Sequence, residues 1–147
     1  MSRLSEIPIR IEPPPALGGL GGGVTAILSE LISLLERLTN SQECAAIDLR
    51  SLPMNVDDLA ELRRALGEGE VRATLDAEGI SAIRETKVPG VWWVEHRDRH
   101  GELMAELIEV TRMPQILMTA SEEIATGARL LREQIALRSV ARRPLTV

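Results

Sequence analysis

The sequence predicts an α+β domain, with a mostly antiparallel sheet of about four to five strands and about three helices packed on it. Three patterns indicate this fold. Apolar residues follow helical spacing after residue 24, they alternate with polar residues through residues 70–111, and helical spacing returns after residue 119. The resulting order, α-β-α-β-β-β-β-α, joins its later strands by short turns, as an antiparallel meander does.

The chain of 147 residues is most simply one domain with flanking segments. Residues 1–23 are rich in proline and glycine and predict a flexible lead-in, within which Ile7–Ile11 alternates like a short edge strand. Residues 24–137 form the predicted domain, and residues 138–147 a short basic tail.

Three segments have the apolar spacing of helices. The first runs from Val24 to about Thr39. Asn55 is placed to cap the second, and Gly67 to stop it. For the third, Ser121 or Thr119 is a candidate cap, and Thr119 with Glu122 has capping-box spacing. The predicted buried stripes are Ile27, Leu28, Leu31, Leu34, Leu35 and Leu38, then Leu59, Leu62 and Leu66, then Ile124, Ala128, Leu131 and Ile135.

Five segments predict strands, and turn residues separate the last four. Pro89 and Gly90 suit the central positions of a type II turn. Val71, Ala73 and Leu75 are expected to point inward. The predicted strands are Ala45–Arg50, Glu70–Asp76, Ile80–Lys87, Val91–Arg97 and Leu103–Thr111.

The overall charge and composition narrow the class of protein. A net charge of −5 argues against a nucleic-acid binder, although five arginines form a local basic patch near the C-terminus. Cys44 is the only cysteine, which fits a reducing compartment. We see no targeting segment and no apolar run of membrane-spanning length, so we expect a soluble cytoplasmic protein without membrane insertion. The patch comprises Arg129, Arg132, Arg138, Arg142 and Arg143.

Two patterns resemble ligand sites, but the sequence around each of them does not support a site. Gly21, Gly23 and Ala26 fit G-x-G-x-x-A, yet prolines rather than a strand precede them, so a linker is the better interpretation. His96 and His100 lie near acidic residues, but one closes a strand and the other lies in a turn, which makes a weak zinc pattern. We therefore predict no cofactor and no metal site; the acidic neighbours are Glu95 and Glu102.

Catalytic residues are equally hard to find in the sequence. Cys44 has no basic sequence neighbour to lower its pKa, so buried apolar packing is its expected role. A carboxylate pair stays open, because Asp48 could meet Glu106 or Glu109 across the sheet. We expect a protein that is not an enzyme.

Trp92 and Trp93 are the only aromatic residues of the chain and are adjacent in one predicted strand. Neighbouring strand residues point to opposite faces, so both rings share a core only if both faces are covered. Packing on both faces and contact with a partner are two open alternatives, because tryptophan is also a preferred interface anchor.

Several segments together resemble the conserved region of the HupH/HyaF hydrogenase expression proteins. The resemblance covers roughly residues 24–137, as a single copy, and keeps the order of the motifs. The segments are IDLRSLP (47–53), NVDDL (55–59), LGEGEV (66–71), RET (84–86), PGVWWVEH (89–96) and IEVTRMP (108–114).

The resemblance implies an accessory or chaperone role in maturation of a bacterial [NiFe] uptake hydrogenase. The implied partners are the precursor of the iron–sulfur small subunit, before export, and a thioredoxin-like hydrogenase accessory protein. The resemblance assigns no catalytic residue to this chain. On this basis we expect a partner-binding surface with aromatic anchors and a polar surround, formed by Trp92, Trp93, Arg84, Glu85, His96, Glu109 and Arg112.

Two alternative functions remain open. One is a small metal-binding or enzymatic factor of the same pathway, with His96, Cys44 and acidic neighbours as ligands. The other is a self-associating interaction module, which would form a homo-oligomer without affinity for hydrogenase subunits.

Overall fold

A computed structural model of the protein describes residues 20–144. The strand predicted at Ile7–Ile11 lies outside these residues. The chain divides after Thr111 into two compact units. No helix within residues 20–144 is both long and apolar enough to cross a membrane.

The first unit is built on an antiparallel sheet, which confirms the predicted α+β class. The strands are β1 (Ala45–Asp48), β2 (Arg72–Asp76), β3 (Gly79–Glu85), β4 (Val91–Asp98) and β5 (Leu103–Val110). The sheet order is β1-β5-β4-β3-β2, so β1 joins the meander beside its last strand.

Two helices of the first unit lie where the apolar spacing predicted them. Helix α1 spans Gly22–Ser41, and α2 spans Val56–Leu66. Asn55 accepts a hydrogen bond from the Asp58 N–H at 2.8 Å, and the Asp58 carboxylate accepts one from the Asn55 N–H, which makes a capping box. Gly67, at φ 65°, ends α2 as predicted.

One sheet face, called here the helix face, packs against α1 and α2. Its central positions are Val91 and Trp93 of β4 with Ile108 and Val110 of β5. Burial of aliphatic side chains from α1, α2 and the sheet stabilises this core. The other members of the buried cluster are Val24, Ile27, Leu31, Leu34, Leu38, Leu49, Leu62 and Leu66.

The opposite face of the sheet, called here the second face, is also buried at its centre. Ile83 of β3 and Trp92 and Val94 of β4 alternate with the residues of the helix face and are at most 5% exposed. The first half of the central strand β4 is therefore buried on both sides, which explains its uninterrupted apolar run, Val91–Val94.

The predicted turns around β4 have the expected chemistry. The Val91 N–H donates to the Val88 carbonyl at 3.1 Å across Pro89 and Gly90, and Gly90 has φ 85°, as position i+2 of a type II turn requires. Gly101, at φ 84°, closes the turn that begins at Asp98.

Two strand expectations were wrong in detail. Val71 precedes β2 and is exposed, and Leu75 is 38% exposed, because β2 is an edge strand of the sheet. The segment predicted as Ala45–Arg50 is extended only to Asp48. There the Asp48 carboxylate accepts from the Arg50 N–H at 3.0 Å and starts a short 3₁₀ helix at Leu49–Ser51.

The second unit contains helix α3, Ser121–Ala141, after a 3₁₀ turn at Gln115–Leu117. Its existence was predicted, but neither Thr119 nor Ser121 is its cap. The cap is Ala120, whose N–H donates to the Glu123 carboxylate at 3.4 Å. None of its residues is buried, and it continues to Ala141, into the segment predicted as a tail.

We expect Leu62→Ala to lower the free energy of unfolding by about 2–5 kcal/mol, because Leu62 is fully buried and its loss leaves a cavity. The matched control is Ile32→Ala on α1, where the side chain is 59% exposed and the cost should stay within about 0.5 kcal/mol. Urea unfolding followed by tryptophan fluorescence measures both. Equal losses for the two variants would contradict the assigned core.

Candidate functional site

A compact group of charged side chains surrounds Trp93 on the helix face. Glu95 of β4 lies directly opposite Glu106 of β5, and both are buried, at 7% and 5% exposure. Two carboxylates side by side in this position repel each other unless a cation lies between them. These two buried carboxylates therefore need a cation beside them.

Arg63 of α2 supplies that cation. Its Nη2 donates to Glu106 Oε1 at 2.6 Å and also to Glu95 Oε1. Its guanidinium carbon lies 4.5 Å from the centre of the Trp93 ring, within the range of a cation–π contact. The Trp93 Nε1–H donates to Glu106 Oε1 at 3.0 Å.

Arg84 of β3 completes what we call the Arg63 cluster, formed by Arg63, Arg84, Trp93, Glu95 and Glu106. Its Nη1 lies 3.7 Å from Glu95 Oε2. Two arginines balance two carboxylates in the cluster. Such a balanced, hydrogen-bonded set stabilises the packing of α2 on the sheet, because removal of one member would leave a buried charge unpaired.

Burial and the two neighbouring glutamates shift the pKa of Arg63 in opposite directions. Burial alone lowers it, but the hydrogen bonds and negative charges of Glu95 and Glu106 outweigh burial and raise the pKa of Arg63 above its usual value. Arg63 is therefore a permanent cation here and does not exchange protons near neutral pH.

A small cleft opens beside the Arg63 cluster. Its volume is about 70 Å³, well below the roughly 300–1,000 Å³ of a typical small-molecule pocket. The cleft can hold water or the tip of a side chain, but not a substrate of ordinary size. Its lining residues are Arg63, Gly67, Glu68, Arg84, Glu85, Thr86 and Trp93.

Trp92 lies on the second face with different partners. Its Nε1–H donates to the Thr111 carbonyl at 3.1 Å, and Glu109 lies opposite it on β5. On the same face His96 Nδ1 is 2.7 Å from Ser81 Oγ. Burial raises the pKa of Glu109, and the charge of His96 offsets part of that rise.

The seven predicted partner residues do not form one surface. Trp93 and Arg84 lie on the helix face, whereas Trp92, His96 and Glu109 lie on the second face. The Glu85 carboxylate accepts from the N–H groups of Glu70 and Val71 at 3.3 Å, and Arg112 belongs to the second unit.

Both tryptophan rings are 5% exposed and both indole N–H groups are hydrogen-bonded. The rings therefore pack on both sheet faces, as the first of the two alternatives requires. They leave little surface for a partner, and the role of the seven residues in partner binding stays a prediction.

Cys44 was expected to be buried, and that expectation was wrong. The residue is exposed just before β1, and its Sγ lies 3.4 Å from Thr111 Oγ1. Asp48 does not meet Glu106, because β1 pairs Asp48 with Leu107 and so places it on the second face. Among residues 20–144 no group of three or more His, Cys, Asp or Glu side chains is arranged to hold a metal ion.

The glycine segment before α1 also has a local explanation. The Gly21 N–H donates to Glu61 Oε2 at 3.4 Å, so a carboxylate of α2 already lies at this helix N-terminus. This contact agrees with the rejection of an anion site, because the positive end of the helix is met by a side chain of the chain itself.

Sequence reasoning missed Arg63 as the partner of the two glutamates. Arg63 follows the buried Leu62, at the border of the apolar stripe of α2, which is the only local indication that it could turn toward the sheet. The facing of Glu95 and Glu106 follows from the β4–β5 register, and a β-bulge between His96 and Arg97 shifts the end of that register.

Comparison of the chain with known proteins identifies its family. A family model described as HupH hydrogenase expression protein, C-terminal conserved region, matches residues 23–137. The chain therefore belongs to the HupH family of hydrogenase expression proteins. The resemblance inferred from the motifs is confirmed.

Several relatives agree with this assignment. The chain is 33% identical over 124 residues to the hydrogenase expression/formation protein HoxQ of Azotobacter vinelandii, covering 81% of this chain and 44% of that protein. It is 36% identical over 87 residues to HupH of Rhodobacter capsulatus, covering 59% and 32%. The chain thus spans less than half the length of these curated relatives.

A solved structure supports the fold. The hydrogenase expression protein HupH from Thiobacillus denitrificans ATCC 25259 superposes with a TM-score of 0.76 at 35% identity. The match covers 79% of this chain and 97% of that one. The α+β fold described above is thus shared with a HupH protein.

We expect Arg63→Met to lower the free energy of unfolding by about 2–3 kcal/mol, because Glu106 then lies buried without its cation and Glu95 keeps only Arg84, 3.7 Å away. This is below the roughly 3–5 kcal/mol of a fully buried pair because Arg63 is partly exposed. The control is Arg64→Met, an exposed neighbour on α2. Adding Glu95→Gln and Glu106→Gln to Arg63→Met should recover part of the loss. Equal stability of the two single variants in urea would contradict the role of Arg63.

We expect Glu109→Gln to change how stability depends on pH. The folded pKa of Glu109 is raised above its usual 4.5, so its contribution is fully present in acid and is lost as the pH rises through the folded pKa. The Tm of the Gln variant minus that of the unchanged protein should therefore increase from pH 4 to pH 7. The exposed Glu102→Gln is the control. A difference that is flat with pH would contradict this assignment.

Proposed function

We propose that the protein is a non-enzymatic accessory factor in hydrogenase maturation and acts by binding another protein. The observation that carries this proposal is the family match over residues 23–137, because proteins similar to this chain are named for hydrogenase expression and formation. The Arg63 cluster gives no support to an enzyme, because its buried charges balance one another and the cleft beside them is too small for an ordinary substrate.

The proposed client is the precursor of the hydrogenase small subunit, which the protein would bind in the cytoplasm before export. A thioredoxin-like hydrogenase accessory protein is the proposed second partner. An unfinished subunit exposes surface that its final assembly covers. A binding protein that shields such surface needs exposed apolar groups of its own rather than a catalytic constellation.

Helix α3 offers side chains of this kind. It runs for 21 residues without a buried one, and its apolar side chains are 48–70% exposed. Exposed apolar side chains in this number are typical of surfaces that bind proteins. They are Ile124, Leu130, Leu131, Ile135, Leu137 and Val140.

The second face offers a polar contribution. His96 and Glu109 are half-buried on this face, where Glu109 lies opposite Trp92 in the β4–β5 register. Under this proposal they adjust specificity, whereas the tryptophans support the sheet. Trp92 and Trp93 would then affect the client only through the stability of the fold.

We expect Leu131→Gln with Ile135→Gln on α3 to lower co-purification of the small-subunit precursor about tenfold or more, because interface anchors commonly contribute about 2 kcal/mol or more. Gln134→Ala on the same helix is the matched control. His96→Ala and Glu109→Gln should reduce recovery less.

The measurement is capture of the precursor from cells that produce both proteins, with thermal unfolding of every variant measured alongside. Failure of the unchanged protein to capture the precursor would contradict the proposed client. Full recovery with the α3 double variant would contradict the proposed surface. Loss of capture only in variants that also unfold would contradict both roles.

A further inference from the structure

Strand β2 is an edge strand whose outer side no described strand flanks. The Val71 carbonyl accepts from the Glu85 N–H at 2.9 Å, and the Ala77 N–H donates to the Gly79 carbonyl at 3.0 Å. Both groups point toward β3. In an antiparallel ladder the direction alternates, so the backbone groups of Arg72, Thr74 and Asp76 point away from β3.

Proteins usually protect such an edge, but β2 has little protection. It has neither proline nor a bulge, and it pairs with β3 in regular register over its whole length. Its side chains are exposed except for Ala73, which is half-buried, and Leu75 presents an apolar side chain at 38% exposure. A regular, exposed edge of this kind is a template for another strand.

We propose that β2 pairs antiparallel with β2 of a second copy of the chain, around a two-fold axis at Thr74. Each Arg72 then lies opposite Asp76 of the second copy, and the two Thr74 residues face each other. Ala73 lies opposite Leu75. The strand RATLD (72–76) is thus complementary to itself in charge and in polarity.

The outward backbone groups of β2 select the same register independently of charge. Arg72, Thr74 and Asp76 have outward N–H and C=O groups, and this register pairs these three residues with one another. Each therefore exchanges hydrogen bonds with an outward-facing residue of the second copy. Two separate features, backbone direction and side-chain charge, agree on one alignment.

Neighbouring registers with the same backbone direction are worse. A shift in one direction brings Glu70 opposite Asp76, which places like charges together. A shift in the other direction pairs Thr74 with Asp76 and leaves Arg72 opposite Glu78, beyond the end of the strand. Only the centred register pairs all five residues of the strand.

An existing contact of Arg72 does not prevent this pairing. Arg72 forms an ion pair with Glu68, four residues earlier, and both side chains are about two-thirds exposed, at 64% and 66%. Exposed pairs of this type contribute roughly 0–1 kcal/mol, so the exchange of Glu68 for Asp76 of the second copy costs little.

The dimer is weak and depends on concentration. Pairing of one five-residue strand buries less area than the roughly 1,200–2,000 Å² of a stable interface. The protein is therefore monomeric when dilute and dimeric when concentrated. This behaviour makes the proposal measurable by sedimentation velocity over a wide range of concentration.

Charge exchange is the sharpest test of the register. Asp76→Arg places Arg72 of one copy opposite an arginine of the other, twice per dimer, and should weaken the dimer about tenfold or more. Arg72→Asp should act in the same way. The double variant, Arg72→Asp with Asp76→Arg, restores opposite charges across the axis and should recover the dimer of the unchanged protein.

Thr74→Pro tests the backbone part. Its missing N–H points outward, so the ladder to β3 is kept while the pairing at the axis is lost. Circular dichroism and thermal unfolding show whether each variant is folded. A monomer at all concentrations, or dimers unaffected by Asp76→Arg and Thr74→Pro, would overturn the proposal. So would a double variant that folds but does not regain self-association.

A crosslink gives a second, independent measurement. In a Cys44→Ser background, Thr74→Cys places two thiols across the axis, where Cα atoms of a hydrogen-bonded pair are about 5.5 Å apart, within disulfide range. Mild oxidation of the concentrated protein should give a disulfide-linked dimer. Ser33→Cys, exposed on α1, is the matched control and should remain monomeric. Equal crosslinking of the two variants would overturn the proposal.

Discussion

The packing of α2 on the sheet depends on the neutralisation of two facing carboxylates. Glu95 and Glu106 lie side by side on the central strands, under a helix layer, where an unpaired charge is costly. Arg63 contacts both of them and lies over Trp93. The capping box at Asn55 and the stop at Gly67 set the length of α2, and the burial of its leucines brings Arg63 to the edge of this site.

The parts of the fold that were predictable are those set by local chemistry. Gly90 and Gly101 have the positive φ angles that their turns require, and helical spacing located all three helices. Apolar alternation identified the strands, but it could not show that β2 lies at an edge, so Val71 and Leu75 were expected inside. Edge position depends on strand order, which no local pattern contains.

The candidate site was less predictable, because it forms between elements distant in sequence. Arg63 and Glu95 are 32 residues apart, and Arg63 and Glu106 are 43 apart. The motif segments identified the family without any knowledge of these contacts. They include Trp93 and Glu95 within PGVWWVEH, whereas Arg63 lies outside every motif segment. The motif segments therefore indicate the family, whereas the contacts of Arg63 follow only from the fold.

The two tryptophans explain how an aliphatic protein supports a polar network. Each ring packs on its own face of β4, and each indole N–H has an acceptor: Thr111 for Trp92 and Glu106 for Trp93. Trp93 provides one surface that contacts a guanidinium and one N–H that holds a carboxylate, which no aliphatic residue can do. The proposed partner binding would then rely on other, exposed side chains.

Self-pairing through β2 would change how the chain meets a client. A two-fold dimer presents every other surface twice, so a client that binds α3 would find two sites in each dimer. A client with one binding epitope gains nothing from the second site. A client that itself pairs would be held at both sites with higher avidity. Because the β2 contact is small, the local concentration of the protein would decide whether a client meets a monomer or a dimer.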